Sequence, residues 1–299
     1  MTESEKNILL ALQKALFNKQ PSMDITADDI DYNEAQKQAV TTLVYSAIDD
    51  SHWEISAQTL KRNMIVLNEH SVFHKLMCDA EIPYVVLKGY ASAYYYSKPL
   101  LRVMGDVDVL VAEDSLEQTG ILLEKAGYKP AESSKHESHI AYHKGNLTIE
   151  VHWQMTGIPE GKSGDRVRWY MADAIETAVL SETQYGQFMI PDEKHHCLIL
   201  LLHTASHLLN TGIGVRHLCD WACFVNRVDG FEEHFGSMLR DCGLWNFARL
   251  LTIVSTRYIG LPKQKWAGEA DESLIEAIME DIIAGGNFGI KDQQRINQA

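Results

Sequence analysis

Residues 104–111 read MGDVDVLV, an alternation of acidic and apolar residues with a period of two. That period predicts a β-strand in which Asp106, Asp108 and Leu110 face one side and the three valines face the other. Because valine is β-branched and packs well in a sheet, we expect the valine side to be buried. The two carboxylates then lie on one face, with their Cα atoms about 6.5 Å apart.

Two carboxylates held this close repel each other unless a positive charge lies between them. A divalent metal ion fits that position, because hard cations bind carboxylate oxygens. The alternative is a surface strand whose acids are simply solvated, since charged side chains are common on edge strands. If repulsion dominates, Asp106→Asn and Asp108→Asn should each preserve the fold or raise the melting temperature in metal-free buffer.

A third carboxylate comes from a predicted hairpin. Its strands are predicted at residues 139–144 and 147–153, with a Gly-Asn turn between them. In the second strand, Glu150 and His152 share one face. If that strand neighbours the Asp106 strand, Glu150 completes a cluster of three carboxylates, which is the arrangement that a two-metal site requires.

A glycine turn precedes the acidic strand in the chain. A short strand is predicted at residues 83–87, followed by Lys88-Gly89 and then by a helix at residues 90–96. Glycine permits close approach of the backbone, and a helix N-terminus offers unpaired N–H groups to an anion. Alternatively, Gly89 serves only a tight turn.

The composition excludes several classes of protein. The chain has 299 residues, 45% hydrophobic and 23% charged, and its 27 basic and 41 acidic side chains give a net charge of −14. Such an acidic balance argues against general nucleic-acid binding, which needs clustered positive charge. We see neither an 18-residue apolar run nor a signal peptide, and we expect no membrane span. The five cysteines include no CxxC pair, so we expect reduced thiols and a cytoplasmic location.

Helical patterns flank the central segment. Their apolar spacing predicts helices at residues 4–18, 33–49, 57–80, 191–209, 215–228, 231–242, 244–259 and 272–284, with a polar tail after the last. In the centre, Asp114 and Glu117 predict a capping box for a helix that closes near Gly127. We therefore expect an α+β protein: a helical region at 1–80, a mixed-sheet core at 81–190 and a helical domain at 191–299.

Residues 156–185 are rich in glycine and include a proline, which predicts a mobile loop. This segment carries Lys162, Arg166 and Arg168, which would be available to a phosphate tail. A last strand is predicted at residues 186–190, after the segment.

Two pairs of side chains share helix faces in the C-terminal third. His203 and His207 have the spacing of the zinc ligands in HExxH proteins, but Thr204 stands where that motif has glutamate. Zinc remains an alternative, and we expect structural or substrate-pocket histidines. Arg216 and Asp220 have the same spacing, which predicts an ion pair on the helix. Contact between Arg216 and a nucleotide or substrate is the alternative.

These motifs resemble the uncharacterised nucleotidyltransferases of the polymerase-beta superfamily. The resemblance covers about residues 60–225, and the residues that carry it are Leu87-Lys88-Gly89, Arg102, the strand 106–111, Ile149-Glu150-Val151-His152-Trp153, Leu202-His203, His207 and the segment 212–220. It implies a nucleotidyltransferase-like mixed sheet. It also implies transfer of a nucleoside monophosphate from a nucleoside triphosphate, with Mg²⁺ or Mn²⁺ as the metal.

The resemblance also implies roles for particular residues. Gly89 would lie at the triphosphate turn, and Asp106, Asp108 and Glu150 would be catalytic and bind the metal. The superfamily usually has a further glycine or serine after that glycine, whereas this chain has a tyrosine.

Lys88 and Arg102 would then supply the positive charge for the phosphates. Alternatively, Lys88 is an ordinary surface residue and Arg102 pairs with a local acid.

The expected function is therefore a metal-dependent nucleotidyltransferase. Its acceptor would be a hydroxyl group of an unidentified small molecule or protein. The first alternative is a catalytically silent nucleotide-binding module with the same fold. The second is a metal-dependent phosphohydrolase built on the C-terminal histidines, although the sequence has no adjacent His-Asp pair to support it.

Overall fold

The computed structural model describes residues 1–20, 24–48, 53–131 and 138–287. Backbone contacts divide the chain into two units, each built from separate stretches of sequence. Unit 1 comprises Met1–Leu60, Tyr95–Val103 and Leu200–Ala299, and unit 2 comprises Lys61–Tyr94 and Met104–Ile199. The predicted polar tail lies largely outside the described residues.

Unit 2 contains a five-stranded mixed sheet, as the sequence predicts. Its strands are β1 (Tyr84–Val86), β2 (Val107–Val111), β3 (Lys129–Pro130), β4 (His139–Lys144) and β5 (Leu147–His152), in the order β1-β2-β5-β4-β3. β2 and β5 are parallel, and the other neighbouring pairs are antiparallel. The predicted β4–β5 hairpin is confirmed, and Gly145 at its turn has a φ of +61°, which glycine adopts without strain.

Strand β2 is buried on both faces. The three valines are at most 1% exposed, which confirms the predicted apolar side. The opposite side is also covered, since Asp108 is only 6% exposed. The alternative of a solvated surface strand is therefore wrong for Asp108. Asp106 differs, because it is exposed and lies just before the strand begins.

The remaining elements of unit 2 pack around this sheet. They are α4 (Trp53–Asp79) from Lys61 onward, α5 (Tyr90–Ala93), α6 (Leu116–Lys125), α7 (Gly161–Met171), the hairpin β6 (Val179–Thr183) and β7 (Gly186–Ile190), and the first residues of α8 (Glu193–Asn210). The predicted strand at 186–190 and the predicted end of α6 near Gly127 are confirmed. The capping box predicted for Asp114 and Glu117 is wrong, because a 3-10 turn at Glu113–Ser115 precedes α6.

The loop predicted at residues 156–185 is also wrong. Much of that segment forms α7 and β6. Val167 and Met171, four residues apart, give α7 one buried face, and this apolar spacing outweighs the glycines at the start of the helix. Arg168 is exposed on α7 and pairs with Asp165.

Unit 1 is helical. Its helices are α1 (Glu3–Phe17), α2 (Tyr32–Lys37), α3 (Thr41–Ile48), α9 (Val215–Arg227), α10 (Phe231–Asp241), α11 (Trp245–Tyr258) and α12 (Glu272–Gly285), with parts of α4 and α8. The single helix predicted at 33–49 is two helices, because Ala39 between them has a φ of +54°. The fully buried Gln38 donates to the carbonyl of Ile283 and accepts from the N–H of Val215, which holds this break in place.

Two further expectations concern thiols and membranes. All five cysteines lie in the described residues and none forms a disulfide, which confirms the expected free thiols. Within the described residues, no helix combines the length and apolar character needed to cross a membrane.

A buried ion pair lies in the core of unit 1. Arg102, 3% exposed, donates from Nε and Nη2 to the two carboxylate oxygens of Asp220, both at 2.7 Å. The Tyr96 hydroxyl donates to the same carboxylate at 2.7 Å. Burial alone would raise the pKa of Asp220, but the charge and hydrogen bonds of Arg102 lower that pKa to about 2. The carboxylate is therefore ionised at neutral pH and fully paired.

This pair corrects two expectations. The bidentate partner of Asp220 is Arg102, whereas the sequence predicts Arg216. Arg216 donates instead to the side chain of Asn287 and to the carbonyl of Val103, and affects Asp220 through its charge. The contacts of Arg102 are those of a structural residue, which differs from the phosphate contact that the family resemblance implies.

Arg102→Met should therefore destabilise the protein by about 3–5 kcal/mol, because it leaves a buried carboxylate without its cation. Urea denaturation measures this change. The double variant Arg102→Met/Asp220→Leu should recover a large part of the loss, since it removes both charges. An Arg102→Met protein as stable as the wild type would show that the pair does not hold unit 1 together.

Candidate active site

Three strands of unit 2 bring charged side chains to one place. In the antiparallel register of β1 and β2, Val86 lies opposite Val109, and beyond the strand the N–H of Leu87 donates to the carbonyl of Asp108 at 2.9 Å. The chain then continues into Lys88, whose Nζ lies 2.8 Å from Oδ1 of Asp108. On the other side of β2, the parallel register places Glu150 directly beside Asp108. The expectation that these two strands are neighbours is therefore confirmed.

Gly89 follows Lys88 and makes a turn beside Asp106. Its φ of +63° and ψ of −107° lie in a region that other residues adopt only with strain. A Cβ atom at this position would lie 3.7 Å from the carbonyl oxygen of Asp106. That distance is an ordinary van der Waals contact, so the cost of another residue at this position is conformational. The helix that follows, α5, has only four residues.

His152 links the two carboxylates of adjacent strands. Its Nε2 lies 3.3 Å from Oδ1 of Asp108 and 3.5 Å from Oε2 of Glu150. His152 is 3% exposed, whereas 27% of the Glu150 side chain is exposed. One ligand atom from each of the three residues lies within 4.8 Å of the other two.

The local charges act in opposite directions on the two aspartates. Burial would raise the pKa of Asp108, but the Lys88 ammonium and the His152 imidazole outweigh it and hold the pKa far below its ordinary value. Asp106 forms no ion pair among the described residues. Partial desolvation and the charges of Asp108 and Glu150 raise its pKa, and Arg62 and Lys88 only partly offset them.

His152 carries positive charge more readily than an isolated histidine. Burial lowers the pKa of its imidazole, but hydrogen bonds to Asp108 and Glu150 and the charge of Asp108 reverse the effect and raise it. Its other ring nitrogen, Nδ1, is buried and has no hydrogen-bond partner among the described residues. Among the described residues, the imidazole therefore contacts the two carboxylates through Nε2, and its second nitrogen is unsatisfied.

The residues fit a divalent metal ion. Carboxylate oxygens are the usual ligands of Mg²⁺ and Mn²⁺, and an imidazole nitrogen is a common additional ligand for transition metals. Asp108, Glu150 and His152 offer such a set. Burial raises the pKa of Asp106, and the negative charges of Asp108 and Glu150 raise it further. Added positive charge would therefore be favourable at this point.

A family comparison agrees with this chemistry. The model of a family described as uncharacterised nucleotidyltransferases matches residues 32–260. The chain belongs to this family. The match is wider than residues 60–225, where the resemblance was recognised from motifs, and it contains every residue of the site described above.

Other comparisons add little to the family assignment. No curated protein matches the chain with significance. One similar solved structure is the crystal structure of an antigenic nucleotidyltransferase-like protein from Paracoccidioides brasiliensis, with 14% identity and a TM-score of 0.32. That similarity covers 78% of this chain and 97% of the other.

Unit 2 of this nucleotidyltransferase family member holds five of the residues selected from the sequence: Lys88, Gly89, Asp106, Asp108 and Glu150. Arg102 and Arg216 belong to unit 1, where they have the partners given above. The sequence placed His152 on the same face as Glu150 without assigning it to the site. The spacing of two residues along β5 is the signal that could have identified it.

The histidines of unit 1 form a separate group. His217 joins the predicted pair, with ring centres 4.4 Å apart for His203 and His207 and 5.6 Å apart for His203 and His217. In the part of the chain that the structure describes, only Asp108, Glu150 and His152 bring three ligand atoms close enough for a metal. The zinc alternative therefore has no geometric support. Burial, with the charge of Arg216, lowers the pKa of His217 to about 3.

The low pKa of His217 predicts a loss of stability in acid. The unfolded histidine has a pKa of about 6.5, so below that pH the unfolded chain binds a proton that the folded protein does not. The free energy of unfolding should fall by up to about 1.4 kcal/mol per pH unit between pH 6 and 4 from this group. Urea denaturation at several pH values should show a shallower dependence for His217→Gln. Equal slopes would exclude this contribution.

Replacement of Asp106 and of Asp108 by asparagine should change the stability in opposite directions. Repulsion between the two carboxylates alone would predict the same direction for both. Asp106→Asn should raise the free energy of unfolding in metal-free buffer, because it removes a charge that its neighbours disfavour. Asp108→Asn should lower it by about 1.5–3 kcal/mol, because Lys88 and His152 lose a charged partner. Urea denaturation with a chelator measures both. A destabilisation of equal size in the two variants would contradict this assignment of charges.

Proposed function

We propose that this protein is a metal-dependent nucleotidyltransferase, which transfers a nucleoside monophosphate from a nucleoside triphosphate to a hydroxyl group of a small molecule or protein. The main support is the register that places Asp108 beside Glu150, with Asp106 near enough for its pKa to respond to both. Two carboxylates brought side by side, with the charge of a third acting on them, are costly for the fold unless they are used. The family of the chain is one of nucleotidyltransferases.

In this proposal Asp106, Asp108 and Glu150 hold Mg²⁺ or Mn²⁺, with His152 as an additional ligand or as the group that orients the carboxylates. The metal supplies positive charge to the phosphates and alignment of the acceptor hydroxyl with the α-phosphate. The protein supplies a rigid frame, because two of the carboxylates are fixed by neighbouring strands of one sheet. Such a frame keeps the reacting groups in register.

Lys88 and Gly89 would bind the phosphates. The Lys88 side chain is 31% exposed, so its ammonium can reach a ligand from its position beside Asp108. Gly89 has no Cβ, which lets a phosphate approach the backbone at the turn. Arg62 adds positive charge near Asp106. These cations offset part of the repulsion between a triphosphate and three carboxylates.

Glu150 would accept the proton of the acceptor hydroxyl. It is the more exposed of the two strand carboxylates, and its side chain contacts His152. As the acceptor oxygen forms its bond to the α-phosphorus, the bond between the α-phosphorus and the bridging oxygen breaks and pyrophosphate leaves. The proton of the hydroxyl passes to the Glu150 carboxylate, so charge and atoms balance.

One observation favours the second candidate, a nucleotide-binding module without catalysis. The Lys88 ammonium already supplies a positive charge at Oδ1 of Asp108, where a metal ion would compete with it. A silent module would bind a nucleoside triphosphate and would release no product. Turnover therefore separates the two candidates.

The test combines binding with turnover. Each of the four nucleoside triphosphates, with Mg²⁺ or Mn²⁺, should raise the melting temperature if it binds; a hundredfold excess over the dissociation constant stabilises the folded state by about 2.7 kcal/mol. The matching nucleoside monophosphate should have a smaller effect. Incubation of the α-labelled nucleotide with cell extract should then label an acceptor. Binding without labelled product favours the silent module, and no shift with any triphosphate contradicts both candidates.

Lys88→Met should change the melting-temperature shifts caused by Mg²⁺ alone and by triphosphate with Mg²⁺ in opposite directions. Mg²⁺ alone should raise its melting temperature more than that of the wild type, because the competing ammonium is absent. Triphosphate with Mg²⁺ should raise it less, because a phosphate ligand is lost. Lys162→Met, on the exposed face of α7, is the matched control and should behave as the wild type in both experiments. If Lys88→Met also behaves as the wild type, Lys88 has neither role.

A further inference from the structure

His70 on α4 is a buried polar residue that the proposed mechanism does not use. It is 1% exposed, and neither of its ring nitrogens has a hydrogen-bond partner in the part of the chain that the structure describes. Buried polar groups are nearly always hydrogen-bonded, and one without a partner lowers the stability of the fold. Such a group needs an explanation, and a ligand that completes its hydrogen bonds is one.

The surroundings of His70 differ on its two sides. On one side its ring packs against Phe188, which is fully buried, with ring centres 5.4 Å apart in an edge-on arrangement. On the other side, Nε2 lies 3.9 Å from the point that a Cβ of Gly89 would occupy. The carbonyl oxygen of Asp106 lies 3.7 Å from the same point. Apart from the chain neighbours of Gly89, no other heavy atom of the described residues is within 4 Å of it.

The Gly89 turn therefore has a hydrogen-bonding group on its border. Because Gly89 has no Cβ, its backbone is bare on the side where Nε2 of His70 lies, and both residues are buried in the free protein. The residue belongs to an ordered inward face of α4, because Asn63, seven residues earlier, is fully buried and accepts from the N–H of Met104. Helix α4 is thus fixed against the chain segment that leads to Asp106, and the position of His70 relative to the turn is fixed with it.

His70 is suited to donate a hydrogen bond without adding charge. Burial lowers the pKa of its imidazole to about 4, against a smaller opposite effect of the Asp108 charge. At neutral pH the ring is therefore uncharged and carries one N–H. It is not among the residues whose ligand atoms converge for a metal in the described chain. A phosphate oxygen is the acceptor that the proposed function brings to this turn.

We propose that His70 is a phosphate-binding residue, whose Nε2–H donates to an oxygen of the triphosphate held at the Gly89 turn. This inference rests on the proposed function, because the phosphate is that of the nucleotide substrate. It adds to the proposed phosphate-binding residues a side chain from α4, a helix that precedes the acidic motifs in the chain. It also explains why a polar side chain is kept without a partner in the free protein.

Two substitutions test the proposal. His70→Phe keeps a ring against Phe188 and removes the N–H, so the melting temperature of the free protein should be unchanged or higher. The dissociation constant for triphosphate with Mg²⁺ should rise about tenfold, as expected for loss of a hydrogen bond to a charged group. His70→Gln keeps a donor and should bind more tightly than His70→Phe. The control is His74→Gln on the same helix, where the histidine contacts the Tyr84 hydroxyl instead; it should keep the wild-type dissociation constant.

A second measurement uses the wild-type protein, because a substitution at a buried position can prevent folding. In ¹⁵N-histidine NMR spectra, the ring signals of His70, identified by their loss in a His70 variant, should shift when triphosphate and Mg²⁺ are added. Unchanged ring signals, or unchanged affinity in His70→Phe, would overturn the proposal while leaving the proposed function intact. A wild-type protein that binds no triphosphate would overturn both.

Discussion

The burial of one carboxylate organises unit 2. Asp108 lies in a strand that is covered on both faces, where an unpaired charge would be very costly. Its partners come from two other strands: Lys88 follows β1, and His152 belongs to β5. The charge is therefore tolerated only if β2 lies between these two strands, with the register observed. The same pairing of Asp108 with Lys88 and His152 thus determines both the order of the three strands and the set of charged groups at the site.

Two buried aspartates of the described residues, Asp220 and Asp108, lie in surroundings that differ in how completely polar groups are satisfied. Asp220 in unit 1 has two hydrogen bonds from Arg102 and one from Tyr96, so its arrangement is closed and suited to stability. The polar groups of the site in unit 2 are less completely satisfied. Asp106 has a raised pKa, and ring nitrogens of His70 and His152 lack partners among the described residues. Unsatisfied groups collected in one place are typical of a binding or catalytic site.

Local patterns in the sequence predicted the parts of this site that depend on period and turn chemistry. The alternation at residues 107–111 predicted the strand, and the Gly-Asn turn predicted the hairpin that carries Glu150. The register between β2 and β5 was beyond such patterns, because it depends on the packing of segments about 40 residues apart. The sequence therefore leaves the pairing of β2 with β5 as a condition for the carboxylate cluster, and the parallel register of the two strands meets it.

Contacts between distant segments account for the errors at Arg102 and Arg216 and for the missed His70. Arg102 and Asp220 are 118 residues apart, so the local spacing of Arg216 and Asp220 was the only signal available. His70 escaped notice because α4 buries polar as well as apolar residues on its inward face, including Asn63 and Glu69. A periodicity based on apolar residues alone selected Met64 and Val72, which are exposed. Tertiary contacts therefore determine which of these side chains are buried and which partners they have, and the apolar period of the helix does not.

The acidic character of the chain has a consequence for how a nucleotide would bind. With a net charge of −14 and three carboxylates at the site, a triphosphate meets repulsion that Lys88 and Arg62 offset only in part. In the proposed function, metal and nucleotide would therefore bind cooperatively, since each reduces the charge that opposes the other. Such coupling is reciprocal: whatever factor the metal gives to nucleotide affinity, the nucleotide gives to metal affinity. Release of Lys88 from Asp108 when a metal takes its place would strengthen this coupling, because the freed ammonium becomes available to the phosphates.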